Sequence, residues 1–218
     1  FILISASGLF SVFSKWLKAK WLLPIIVFFI VTGFIHSTNT TAADWIKWNY
    51  EGVENKNTYS AYQKINEFFL NKDFPGRIDF EYYDYNNFGS PRIFELSPLF
   101  HKKPVMEGLL FESALAYPFF FYMQREVSET TWWPGFDIKI PVQNMTKGLK
   151  DLWLFNIKYF VARSDKTKAL LKDNKGYLLE KTIGDFNIYK IPQESQYVEA
   201  LKKEPILLVT GNWKKYAL

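Results

Sequence analysis

The first forty residues constrain this chain more than any motif further along. Phe1 to Phe13 is almost wholly apolar, Lys15, Lys18 and Lys20 interrupt the run, and Trp21 to Ile35 is apolar again. A spanning helix needs roughly 20 apolar residues, and Trp21 to His36 supplies 16. Trp21 suits an interfacial anchor, and the lysine stems before it can extend toward headgroups. The reading is therefore a hairpin at 1–38: the end of one membrane helix, a lysine loop and a second membrane helix. A secretory signal peptide is the alternative, although a 13-residue apolar stretch ahead of the lysines does not suit its charged leading region.

The only charges between the two apolar runs are lysines, which places that loop on the cytoplasmic side. Residues 39–218 are then expected outside, at the cell membrane. With no cysteine, a module of this size must fold on its own hydrophobic core. The chain carries 27 basic and 22 acidic residues, but three lysines belong to residues 1–36, leaving 24 against 22. So balanced a module gives no electrostatic reason to bind nucleic acid.

Within the module, Tyr59, Tyr62, Ile65, Phe68 and Phe69 recur at helical spacing, predicting a helix over Thr58–Lys72 with Asn57 as N-cap. Arg77–Tyr83 alternates Ile78, Phe80 and Tyr82 against Arg77, Asp79 and Glu81, a half-buried strand with its acids on a solvated face. Asp84–Gly108 shows no sustained period and reads as a long loop, in which His101 is expected to be solvated. Leu109–Glu126 is apolar but too short to span, and predicts a buried or membrane-surface helix with Pro118 at a start or kink. Helices are then expected over Thr146–Leu154 and Asp165–Lys172, the second capped by Ser164. Strands are expected over Asn156–Ala162, Tyr177–Ile183 and Phe186–Ile191, the last two joined by a Gly184-Asp185 turn. A helix over Glu194–Lys203 and a strand over Pro205–Val209 complete the pattern. Interleaved helices and strands with one hairpin imply an α/β fold, a mixed sheet with helices.

Chemistry-bearing motifs are sparse. Two histidines and no cysteine leave no ligand set for a histidine- or cysteine-built zinc site, and no cofactor-binding glycine fingerprint is present. Sugar chemistry can run on Asp and Glu alone, which makes Asp79, Glu81, Asp84, Glu95, Glu107, Glu112 and Asp137 the carboxylates to weigh. Aromatic rings beside amides and acids suit the flat faces of sugars, and two groups fit: Tyr82, Tyr83 and Tyr85 with Asn86 and Asn87, and Trp132 with Trp133. The same rings could equally fill a core or touch headgroups. The substrate-binding candidates are Tyr85, Asn86, Glu107, Trp132, Trp133 and Asp137.

The stretch Leu149-Lys150-Asp151-Leu152-Trp153-Leu154-Phe155-Asn156-Ile157-Lys158-Tyr159-Phe160-Val161, followed by Gly184-Asp185-Phe186-Asn187-Ile188-Tyr189-Lys190-Ile191, resembles a helix-to-strand element and hairpin of large multi-pass membrane proteins. Gly76-Arg77-Ile78 and Pro104-Val105-Met106-Glu107-Gly108 add to the likeness. The family is that of 6-pyruvoyl-tetrahydropterin-synthase-related membrane proteins, akin to C-type glycosyltransferases. The zinc-binding histidine triad of true pterin synthases has no counterpart here. The resemblance implies a segment of a longer polytopic protein that uses a lipid-phosphate sugar donor. Its partners would be membrane lipid, the remaining transmembrane helices or other membrane subunits, and a glycan or lipid-linked sugar. An accessory or docking subunit of a membrane complex is the other function left open.

Overall fold

The computed structural model describes residues 8, 11–12, 22–38, 40–90, 92–108, 114–130 and 141–192, with a few single positions beyond. The chain divides into two compact units, 1–52 and 53–218.

In the first unit, α1 covers Leu22–Thr38 and α2 covers Thr40–Tyr50. Phe28, Phe29, Ile30, Phe34 and Ile35 of α1 are all exposed. With 17 residues, α1 is about 25 Å long, short of the ~30 Å hydrocarbon core of a bilayer. No single described helix is long and apolar enough to cross a membrane; the first arm of the expected hairpin, Phe1–Phe13, lies outside the described residues except for positions 8, 11 and 12. Pro24–Thr38 and Ala43–Tyr50, bent by 63° at their junction, have the length and composition only when taken together.

The second unit is an α/β fold around a four-stranded mixed sheet in the order β1-β2-β4-β3: β1 Arg77–Phe80, β2 Ile157–Ala162, β3 Leu178–Ile183, β4 Phe186–Lys190. β1 pairs parallel to β2, and β4 pairs antiparallel to both β2 and β3. Gly184 makes the β3–β4 turn at φ +55, a conformation that favours glycine.

Five helices belong to this unit among the described residues: α3 Tyr59–Leu70, α4 Ser97–His101, α5 Tyr117–Val127, α6 Met145–Leu154 and α7 Asp165–Leu171. Tyr62, Ile65 and Phe69 of α3 pack with Ile78, Phe80, Tyr159, Val161 and Ile188 as one core. On the other face of the sheet, Phe120, Phe121 and Met123 of α5 and Leu149 and Leu152 of α6 pack with Phe160, Ala162 and Tyr189 as a second. Covering on both faces leaves every residue of β2 buried.

That second layer corrects the reading of β1. Ile78 and Phe80 enter the first core as expected, but Asp79 and Glu81 are fully buried rather than solvated. Alternation identifies two faces; it does not say that the polar one meets water. The strand is also shorter than expected, ending at Phe80. Thr58, not Asn57, precedes α3, and its hydroxyl donates to the Asn87 carbonyl at 2.7 Å instead of capping the helix. The Asp84–Gly108 loop holds two 3-10 turns, Asn86–Phe88 and Ile93–Leu96, besides α4, and Val105 forms a bridge to Ile78. His101 is buried against Phe69, not solvated, and burial followed by the charge of Lys103 lowers its pKa to about 4.

Of the two expected caps Ser164 is in place, and Asn144 is a further cap not expected from the sequence. Asn144 accepts from the amides of Thr146 and Lys147 at 3.1 Å, Ser164 accepts from that of Thr167 at 3.1 Å, and Pro118 sits in the first turn of α5. Leu207 and Val209 are exposed and lie in no strand; the helix expected over 194–203 lies outside the described residues apart from position 198.

Helices α5 and α6 meet at Gly148, where an added Cβ would lie 2.4 Å from Cγ1 of Val127. Alanine would gain about 1 kcal/mol of helix propensity, but the stiff, fully buried Val127 has no room to move. Gly148→Ala is therefore expected to destabilise the domain by about 1–3 kcal/mol, as a lower midpoint in urea unfolding.

Candidate functional site

The parallel pair β1–β2 ends in a group of carboxylates held by five different segments. The C-terminal edge of parallel strands is where open α/β sheets place their ligand crevices, because the connecting segments diverge there. Glu81, just past β1, is the most heavily engaged. Its Oε2 accepts from the amides of Arg163 and Ser164 at 2.7 and 2.8 Å, and its Oε1 from the hydroxyls of Ser164 and Thr167 at 2.5 and 2.6 Å. The carboxylate is thus spent on joining β1 to the turn that starts α7.

Asp79 points into the layer beneath α5. Its Oδ1 accepts from Gln124 Nε2 at 2.7 Å; Gln124 Oε1 accepts from Ser128 Oγ at 2.9 Å; that hydroxyl accepts from the Tyr82 amide at 2.9 Å. Oδ2 of Asp79 is sealed from solvent and has no hydrogen-bond partner among the described residues. Burial, reinforced by the charge of Glu107, raises its pKa well above the usual carboxylate range despite the Gln124 contact.

Glu107 lies on the segment that runs beside β1 from the Val105 bridge. The residue is partly exposed, yet its Oε1 is sealed and without a partner among the described residues. Burial first, then the charge of Glu95, pushes its pKa up to about 8, with Arg92 acting against them. Arg92 pairs through Nε with Glu95 and reaches the Gly108 carbonyl at 3.4 Å. A carboxyl that is mostly neutral at pH 7 can donate a hydrogen bond, or a proton, to an incoming oxygen. Among the described residues no three His, Asp or Glu side chains are grouped to hold a metal ion.

Of the residues marked from the sequence, Glu107 is placed in this group and Tyr85 beside it. Tyr85 is only 4% exposed, donates to the Glu81 carbonyl at 2.6 Å and packs edge-on against Phe88 and Phe94, so its ring serves the core. Asn86 opens the 3-10 turn that follows. Trp132, Trp133 and Asp137 lie outside the described residues. Beside Tyr85 lies the half-buried ring of Tyr83, with the Arg163 guanidinium 4.8 Å from its centroid. Asp79 was legible only as a carboxylate to weigh, and Gln124 gave no signal at all, since nothing in a helix sequence tells a buried amide from a solvated one. The Arg92–Glu95 spacing of i, i+3 was the available clue to that pair.

A second raised carboxyl lies between α5 and α6. Glu126 is 1% exposed; burial, then hydrogen bonding to Asp151, lifts its pKa to about 7, while Lys147 at 3.1 Å opposes the shift. Glu107 and Glu126 both have folded-state pKa values above the ordinary 4.5, so between the two values the folded protein binds more protons than the unfolded chain. Their contribution to stability is complete below about pH 4.5 and is lost as pH rises through about 7 and 8. Thermal unfolding is expected to show a falling midpoint from pH 5 to pH 8.5, and the double variant Glu107→Gln with Glu126→Gln should flatten that slope. For Glu81, replacement by alanine leaves two amides and two hydroxyls unsatisfied and is expected to cost at least about 3 kcal/mol, measurable by urea unfolding.

No curated protein and no solved structure matches the chain. Residues 63–202, more than half of the chain and within its α/β unit, match the family described as domain of unknown function (DUF8559), and the chain belongs to that family.

Proposed function

We propose that the chain is a membrane-attached, extracytoplasmic α/β module of a polytopic, glycosyltransferase-like protein. There it covers the outer mouth of a membrane site and holds a glycan acceptor or lipid-linked sugar. The observation that carries the membrane part is α1, whose apolar side chains are exposed around its circumference. A helix apolar on all sides needs lipid or protein around it. Lys15, Lys18 and Lys20 orient the segment with the module outside. Glu107 supports the sugar part: a mostly neutral carboxyl with one oxygen unpartnered among the described residues can donate to a hydroxyl, ring or phosphate oxygen.

A docking role for the same module in a membrane complex is the second reading, favoured by the engagement of Glu81 and Tyr85 in holding the fold. Glu107→Gln in the full-length parent polypeptide separates the two. Under the sugar reading, glycan transfer falls about tenfold, the worth of one strong hydrogen bond of ~1.5 kcal/mol, with membrane retention unchanged. Unaltered transfer leaves the docking role, and release of the chain by alkaline carbonate removes the membrane attachment common to both.

A further inference from the structure

The turn that leads into α6 carries the sequon Asn144-Met145-Thr146. Asn144 lies just outside the helix, exposed and with an extended backbone at φ −151 and ψ 97. Its Oδ1 accepts from the amides of Thr146 and Lys147, both at 3.1 Å. With the oxygen taken up by the cap, the Nδ2 amine has no hydrogen-bond partner among the described residues. Main-chain bonds fix the residue on both sides: its amide donates to the Glu126 carbonyl at 2.8 Å, and its carbonyl accepts from the Gly148 amide at 2.9 Å. Thr146, the third residue of the sequon, is also exposed, while Met145 between them is buried and anchors the turn in the second core. The other sequon, Asn39-Thr40-Thr41, has its asparagine outside the described residues.

Asn144 also lines a cavity of about 340 Å³, together with Tyr122, Glu126, Pro141, Val142 and Lys147. Val142, 80% exposed, Pro141 and the half-buried ring of Tyr122 offer apolar surface of the kind that flat sugar faces pack on. Lys147, 3.1 Å from Glu126 and 5.7 Å from the Tyr122 centroid, has a side chain 62% exposed, and its ammonium can donate to hydroxyls. A substituent on Nδ2 therefore meets the cavity and solvent, not a packed core. An N-substituted amide keeps its carbonyl oxygen, so the α6 cap survives the substitution.

We propose that Asn144 is an N-glycosylation site. The co-reactant is a lipid-phosphate-linked glycan, delivered by a separate transferase. Nδ2 bonds to the anomeric carbon, the bond from that carbon to the phosphate oxygen breaks, the lipid phosphate leaves with the electron pair, and Nδ2 gives up one proton. Thr146 belongs to the first turn of α6, so transfer precedes the folding of that turn, and the folded cap then holds the product at the surface. Such transfer takes place on the side of the membrane away from the cytoplasm. The site thus rests on the outside placement of residues 39–218 proposed above, and not on Glu107 or on any sugar transfer by this chain.

Trypsin cleavage after Lys139 and Lys147 isolates the sequon in peptide 140–147. In the full-length parent polypeptide purified from its source organism, that peptide is expected to be heavier by a whole number of sugar residues, with electron-transfer fragmentation placing the mass on Asn144. Thr146→Val, which keeps the asparagine, and Asn144→Asp, which keeps a capping oxygen, should each lose the added mass, and Thr146→Ser should retain it. Leu154→Cys, 82% exposed on α6 in a chain without cysteine, reports the side of the membrane through an impermeant maleimide applied to cells with an intact cytoplasmic membrane. Labelling at 154 with peptide 140–147 unmodified overturns the glycan and leaves the outside placement standing. Labelling only after lysis overturns the placement, and the glycan site with it. Added mass that survives Thr146→Val overturns the sequon as its cause.

Discussion

The α/β domain is closed by one buried carboxylate. Glu81 accepts four short hydrogen bonds from three consecutive features of the chain 80 residues later: the turn after β2, the cap of α7 and the first turn of that helix. Ser164 shows how tightly the parts are coupled, since it accepts from Thr167 as a helix cap and donates to Glu81 with the same oxygen. Backbone pairing adds to this, with the Glu81 amide donating to the Val161 carbonyl at 2.8 Å. A parallel strand pair has no hairpin to set its register. Here a side chain does that work, and the register of β1 on β2 then determines where Asp79, Tyr82 and Glu107 lie.

Around that clamp the two faces of β1 have opposite characters. One carries Ile78 and Phe80 into an aromatic core in which Phe80 stacks on Phe94 with ring centroids 4.2 Å apart. The other carries Asp79 and Glu81 under α5 and α7, where water is excluded and hydrogen bonds must take its place. Glu81 obtains a full set, whereas Asp79 obtains Gln124 on one oxygen and, among the described residues, none on the other. Glu81 thereby serves the fold, while burial, then the charge of Glu107, holds Asp79 back from ionising.

Much of this architecture could be read from the residues. The C-terminal half followed its propensities closely: Ser164 as a cap, the Gly184 hairpin and the wholly apolar face of β2 all have strong local causes. The failures have a common physical origin. Asp79, Glu81 and His101 were taken as solvated because polar residues usually are, and each is buried because a distant segment covers it. Non-local cover leaves no local trace, so neither the clamp nor the Asp79–Gln124 contact was legible. Tyr85 illustrates the converse: a ring among amides suits a sugar in sequence, but the 3-10 turn after it directs the ring inward.

The distribution of buried acids bears on where the module can work. Burial raises the pKa values of Asp79, Glu107 and Glu126; Asp79 lies between the sheet and α5, and Glu126 between α5 and α6. Alkaline conditions charge these positions and set their desolvation cost against the packing of α5 on the sheet. The opposite layer, with α3 and α4, holds His101, buried against Phe69 and already neutral at pH 7, so that group gains no charge as pH rises.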